Sequence, residues 1–359
     1  MNKKTFFRIL EILIFVTLTL YLLIHLSYSL RDNLYRTGLN MKGYYGEEEN
    51  TLDLVILGTS STFSAIAPME LWNSYGIASY DFCTNVQFEN SMPFSIRELS
   101  KTQNPKLVMI DLAPFMMKHN SVVYQEVDCN MRYNTDGFSY SKNRFDLINA
   151  LVPDPEDRIY YYFDILYYHT NEPSLSSWNW ELQNARKGYA NLNGNAVFTE
   201  EQWMEDIPEN FEMPEDEVHY LDLLLEELEK HDFEVLFFNG PYFQYEEKLE
   251  QAKRVQWVKN YLTEKGYSYL DMNDYRKQIG FDSGTDYSLD YCHYHINSAL
   301  KITEFLGEYL TENYSLPDHR SDVAYDLWKE QSLEWAEYKA NCQQKRQEAL
   351  ENGQEWEEE

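Results

Sequence analysis

Two short stretches of this sequence carry side chains that could perform nucleophilic chemistry together. The first is "LDLVILGTSSTFS", residues 52–64, where an apolar run meets Gly58, Thr59, Ser60 and Ser61. The second is "LDYCHYHINSALK", residues 289–301, where Asp290 precedes His293 by three residues. A serine hydroxyl is a weak nucleophile until a base removes its proton, and the base works best when a third group orients it. Ser60 as nucleophile, His293 as base and Asp290 as orienting carboxylate would form such a set, and its chemistry would be acyl transfer. Ser61 is the alternative nucleophile one residue on. A plainer reading stands beside this one: Ser60, Ser61 or Thr62 caps the helix that follows. Two rivals for the base are His295 and the pair Asp216 and His219; the latter opens a charge-rich helical stretch and reads as surface.

Such residues must be carried to one place by a scaffold. Five largely apolar segments read as strands, at 52–58, 78–82, 106–112, 233–239 and 267–272. Amphipathic stretches at about 68–75, 90–103, 215–231 and 244–265 lie between them. Continuous apolar strands alternating with amphipathic helices are the pattern of a parallel sheet covered on both faces. In such a sheet, ligands sit beyond the carboxyl ends of the strands, which is where Gly58 and Ser60 fall. Gly58 permits a tight turn, and the helix start beyond it offers N–H groups to a developing negative charge. The expected fold is therefore α/β, with three layers and a central parallel sheet, over residues 51–318.

Residues 119–212 interrupt this rhythm with an aromatic-rich insertion holding Tyr160, Tyr161, Tyr162, Tyr167, Tyr168, Trp178 and Trp180. Its aromatics form either a locally packed lobe or a stacking platform for sugar rings. Residues 319–359 read as an acidic helical tail packed back on the domain, with Trp328, Trp335 and Trp356.

Residues 9–30 are predominantly apolar and long enough to cross a bilayer core of ~30 Å as one helix. No small-residue cleavage pattern follows, so residues 1–30 read as an uncleaved anchor and 31–50 as a juxtamembrane linker. Lys3, Lys4 and Arg8 ahead of the span favour a body outside the cytoplasm. With 30 Lys and Arg against 60 Asp and Glu, the net charge of −30 argues against nucleic-acid binding. The four cysteines, Cys83, Cys129, Cys292 and Cys342, are widely spaced. They form neither a metal motif nor a dense disulfide framework, though an even number leaves disulfide pairing open. No metal or organic cofactor is expected, because no His/Cys cluster has ligand spacing.

A Gly-x-Ser after the first strand and an Asp-x-x-His before a C-terminal helix resemble the GDSL/SGNH hydrolase family. The closer resemblance is to its membrane-anchored members that act on cell-envelope polymers, such as the D-alanyl-lipoteichoic acid transfer and alginate O-acetylation proteins. "HYHINSALK" is similar to the family's last block, with His295 where Asn is usual and Ser298 where Gly is usual, a register that favours His293 as the base. The resemblance implies a flavodoxin-like fold and a serine esterase or O-acyltransferase whose nucleophile is Ser60. It implies an oxyanion hole from the Ser60 N–H together with donors after the second strand. There the family's glycine is absent, and Asn85 and Gln87 offer side-chain amides instead. The implied substrate is a cell-envelope glycan or teichoic-type polymer, and the implied partner a multi-spanning membrane acyltransferase. The missing glycine, and the "IDLAPF" that stands where the third block has Asn, support an alternative: a catalytically silent scaffold that binds a glycan or that partner.

Overall fold

The computed structural model describes residues 2–31, 41, 43–118, 128–171, 184–192, 204, 206–208, 210–242, 249–288 and 293–352. Five strands form one sheet: β1 (Leu54–Leu57), β2 (Ser79–Asp81), β3 (Leu107–Asp111), β4 (Glu234–Asn239) and β5 (Ser268–Asp271). All neighbouring pairs are parallel, in the order β2-β1-β3-β4-β5. This is the flavodoxin-like order, and the chain reverses its direction of travel across the sheet between β1 and β3. Each strand coincides with one of the apolar segments expected from the sequence.

The central strand β1 is apolar throughout, and β3 and β4 nearly so, because both faces of the sheet are covered. Val55 and Leu57 of β1 join one core cluster, and Leu54 and Ile56 join the other. The helices α1 (Lys3–Leu30), α2 (Ser60–Ala65), α3 (Pro68–Tyr75) and α4 (Met92–Leu99) precede β3. The insertion contributes α5 (Lys142–Leu151), α6 (Arg158–Tyr162) and α7 (Ile165–Tyr168). Then come α8 (Glu215–Leu228), α9 (Leu249–Glu264), α10 (Ile296–Asn313) and α11 (Asp326–Asn352). Met92, Ile96 and Leu99 of α4, Leu221 and Leu224 of α8 and Val258 of α9 cover the Val55 face. Ile302, Phe305 and Leu306 of α10 cover the other.

The C-terminal helix α11 packs on the domain. Trp335 is fully buried and its indole N–H donates to Glu70 (2.6 Å), while Trp328 packs against Trp72 with ring centroids 5.1 Å apart. Trp356 lies outside the described residues. Among the described residues, one helix, α1, is long and apolar enough to cross a membrane.

One segment differs from its reading in the sequence, and another takes one of its two readings. The stretch expected to be a linker is built into the body where it is described. Tyr44 is fully buried with its hydroxyl on Leu99 O (2.8 Å), and Glu47 pairs with the buried Lys187 (2.7 Å). Polar composition hid this, because the charges in it are matched internally. The insertion, in its described part, holds a packed lobe: the guanidinium of Arg132 lies 4.0 Å from the Tyr161 ring centroid and 3.9 Å from that of Tyr167. Trp178 and Trp180 lie outside the described residues.

Candidate active site

The turn after β1 is shaped by close approach. A side chain at Gly58 would collide with Thr62, and would stand 2.9 Å from Asp111 Cβ at the end of β3. Only a residue without Cβ lets the β1 turn lie this close to β3. Thr59 is the N-cap of α2: its hydroxyl oxygen accepts from the Ser61 N–H (3.3 Å), and the Thr62 hydroxyl oxygen accepts from the Thr59 N–H (3.1 Å). The cap is therefore Thr59 and not Ser60, Ser61 or Thr62. This matters chemically, because capping by Thr59 leaves the Ser60 hydroxyl, at the first helical position, for another partner.

That partner is His293. Ser60 Oγ lies 2.7 Å from His293 Nε2, across 233 residues of sequence, and both residues are half-buried. The loop carrying His293 is clamped on both sides. Tyr287 and Tyr294 form an antiparallel bridge, and the Ser288 N–H donates to His293 O (2.9 Å). Both tyrosine hydroxyls donate to Pro241 O in the loop after β4, at 3.0 Å for Tyr287 and 2.6 Å for Tyr294. The Tyr294 N–H reaches Ser64 Oγ of α2 (3.4 Å), tying the histidine loop to the helix that bears Ser60. Asp290 lies outside the described residues.

The nearer rival, His295, is occupied elsewhere. His295 caps α10: its Nδ1 accepts from the Ser298 N–H (3.3 Å), and its Nε2 donates to Thr285 O (2.7 Å). Burial, with Arg346 and Lys301 adding to it, pushes its pKa down to about 3, so it stays neutral and locked. His219 is exposed on α8.

The loop after β2 runs beside the turn that carries Ser60, since the Thr84 N–H donates to Gly58 O (3.1 Å). Asn85 follows directly and is half-buried. Gln87 is different: it is 1 % exposed, and its amide donates to Ser95 Oγ of α4 (3.1 Å), which directs that donor inward.

One residue at the site was not singled out from the sequence. Asp111, 3 % exposed, accepts from the Thr62 hydroxyl (2.5 Å), the Ser61 hydroxyl (3.4 Å) and the Ala113 N–H (3.0 Å). Burial pushes its pKa up to about 6, against hydrogen bonds from Thr62, Ala113 and Ser61 that pull it down. Its signal in the sequence was a single carboxylate closing a solid apolar strand, "LVMID". Asp111 ends β3 and Gly58 directly follows β1, so the site occupies the crevice where the strand order reverses. Cys83, Cys129 and Cys342 are free thiols, and Cys292 lies outside the described residues. Among the described residues there is no cluster of His, Cys, Asp and Glu able to hold a metal ion.

No family model and no curated protein matches the chain. Among solved structures it is similar to a gut microbial diltiazem-metabolizing enzyme, with 10% identity and a TM-score of 0.36. The match covers 74% of this chain and 48% of that one, so this chain spans about half the length of the structure it matches.

A hydroxyl and an imidazole at hydrogen-bond distance, beside a backbone turn braced by a buried carboxylate, can generate an alkoxide in place. An acyl carbonyl is the natural electrophile for it.

Proposed function

We propose that this chain is a membrane-anchored serine esterase or O-acyltransferase of the SGNH type. The observation that carries the reading is the 2.7 Å approach of Ser60 Oγ to His293 Nε2 at the switch point of a parallel sheet. Ser60 attacks an acyl carbonyl while His293 takes the hydroxyl proton, giving a tetrahedral oxyanion. Collapse of that intermediate breaks the bond to the leaving alcohol, which receives the proton from His293, and the acyl group remains on Ser60. An incoming hydroxyl, from a sugar or from water, then gives its proton to His293 and attacks the acyl carbonyl; the Ser60 Oγ–acyl bond breaks, His293 returns the proton to Oγ, and the acyl group leaves on the acceptor. Asp290 is assigned to orient His293, and the Ser60 N–H with Asn85 to hold the oxyanion. The inward-facing amide of Gln87 supports leaving it out of that role.

The basic residues in the first turns of α1, ahead of its apolar run, support an extracytoplasmic body, and with it a cell-envelope glycan or teichoic-type polymer as acceptor or substrate. A multi-spanning acyltransferase in the same membrane is the proposed acyl donor.

The test is covalent labelling of the full chain in detergent micelles with a fluorophosphonate probe. Labelling is expected in the wild type and in Ser61→Ala, and is expected to vanish in Ser60→Ala and His293→Ala. Labelling that survives Ser60→Ala would overturn the assignment. No labelling in any form would favour the silent scaffold, a reading supported by the missing glycine after β2.

A further inference from the structure

Outside α1, the large apolar side chains that face solvent concentrate in one part of the described chain. Phe145, Ile159, Tyr160, Phe163, Leu166 and Tyr167 all lie within residues 142–168 of the insertion; the others are Leu223 on α8 and Val323, Leu327, Leu333 and Leu350, spread along residues 323–350 of the C-terminal tail. Phe163 is 57 % exposed and Phe145 52 %, and Phe145 stacks on Tyr162 with centroids 4.8 Å apart. Solvent-facing apolar groups clustered in this way mark an interaction surface.

The position of the cluster names the partner. On α1 the exposed apolar side chains run from Phe6 to Ile24, and burial begins at Ser27. At that point α7 packs against α1. The junction is fixed by polar contacts that have no slack. Arg31 Nε donates to Asp164 Oδ2 (2.6 Å), the Asn171 amide to Leu30 O (3.0 Å), and the Tyr140 N–H to the Tyr28 hydroxyl oxygen (3.1 Å). Asp164 directly follows Phe163. From Ile24 to Arg31 a helix rises by about 10 Å, comparable with the headgroup layer that flanks a bilayer core. Phe163, Leu166 and Tyr167, the part of the cluster at α7, therefore sit within a turn or two of the point where α1 leaves the hydrocarbon. Tyr160 and Tyr167 have the apolar body and polar tip that suit that layer.

We infer that α5–α7 form an aromatic pad that beds in the lipid headgroup region beside α1, giving the domain a second membrane contact and a fixed orientation over the bilayer. The inference rests on α1 crossing a membrane. Asp154, Glu156 and Asp157, exposed just before α6, argue that apolar burial and not attraction to anionic lipid holds the pad. A pad of this kind would hold the Ser60 site at one height above the surface, as suits an enzyme whose acyl donor is in the membrane.

The test places p-benzoylphenylalanine at position 15, 163, 166 or 323 of the full chain in phosphatidylcholine nanodiscs, followed by irradiation and mass spectrometry. Lipid adducts are expected at 15, 163 and 166 and not at 323, where exposed Val323 is far from α1 in sequence and lies on the tail. The yield at 163 is expected to be unchanged when anionic lipid replaces part of the phosphatidylcholine. Lipid adducts at 15 with none at 163 and 166 would overturn the pad and leave the anchor standing. Adducts at 163 and 166 to protein alone, from this chain or from a partner when the irradiation is repeated in native membranes, would also overturn it. Absence of adducts at 15 would remove the anchor and the pad with it.

Discussion

Asp111→Asn should make the protein more stable and its serine less reactive, and the two effects have separable causes. In the folded chain, burial lifts the Asp111 pKa from its ordinary 3.8 to about 6. A group whose folded pKa is raised adds stability that is complete below the unfolded value and is lost as pH climbs through the folded one. That rise is worth about 3 kcal/mol at neutral pH. The asparagine side chain mimics the protonated carboxyl at every pH, so it keeps the stability that the wild type loses above about pH 6. Oδ1 still accepts from the Ala113 N–H, and the new amide faces Thr62 and Ser61 as the protonated oxygen would.

The expected result is therefore a melting temperature raised by about 5 °C at about pH 8, with the difference closing near pH 4. The reactivity should move the other way. Thr62 and Ser61 currently donate to Asp111, and the turn between Gly58 and Thr62 is held by those bonds. When both hydroxyls must accept, the turn that carries Ser60 shifts, and a displacement of about 1 Å at a reacting atom can cost ~10²-fold. Fluorophosphonate labelling at about pH 8 should slow by about tenfold or more in Asp111→Asn. A melting difference that is equal at pH 4 and pH 8 would refute the burial argument. Unchanged labelling would refute Asp111 as a positioning residue for Ser60.

Two further substitutions test the frame around the site. Gly58→Ala places a methyl group against Thr62 and 2.9 Å from Asp111 Cβ, so unfolding should become easier by about 1–3 kcal/mol and labelling of Ser60 should fall with it; wild-type values in both thermal unfolding and labelling would contradict the packing described. Asp164→Ala removes the carboxylate that accepts from Arg144 (2.9 Å), Arg31 and the Tyr140 hydroxyl (2.8 Å) and pairs with Arg132 (3.6 Å), leaving three guanidinium groups buried. The cost should be about 3–5 kcal/mol, read as a lower denaturation midpoint and faster proteolysis at the α1 junction, and a change under about 1 kcal/mol would show that the network does not hold the helix.

Much of the fold was legible because the strands are buried on both sides. A strand such as "LVIL" needs no alternation when Val55 and Ile56 each meet a core, so its apolar run survives in the sequence. Helix α3 matched its expected bounds at Pro68–Tyr75, where Pro68 opens the helix and Gly76, at φ 73°, closes it. Matched charges were harder to read. Glu47 with Lys187, and Asp164 with Arg31 and Arg144, look like solvated polar residues until partners more than a hundred positions away in the first case, or brought together by α1 and the insertion in the second, enclose them. Asp111 was missed for the same reason. A lone carboxylate at a strand end has no local signature, and its significance depends on Gly58 and Thr62 arriving from β1 and α2.

The two histidines of "HYH" show how a site residue and a structural one can be told apart only by what surrounds them. In the sequence they differ by two positions, and each could serve a hydroxyl. In the fold, the residue that enters α10 must satisfy the free N–H groups of its first turn, and His295 does so through Nδ1 while Thr285 O holds Nε2. With both ring nitrogens engaged and protonation opposed by burial, His295 has no capacity left for proton transfer. His293 lies outside that helix start, on a loop whose backbone is pinned at Ser288 and Tyr294, so its ring is carried to Ser60 without being needed to cap the helix. The turn after β1 divides its labour the same way: Thr59 caps, Thr62 and Ser61 brace against Asp111, and Ser60 is left to the imidazole. In both segments a neighbouring residue meets the local demands of the helix start, and that is what frees one side chain for chemistry.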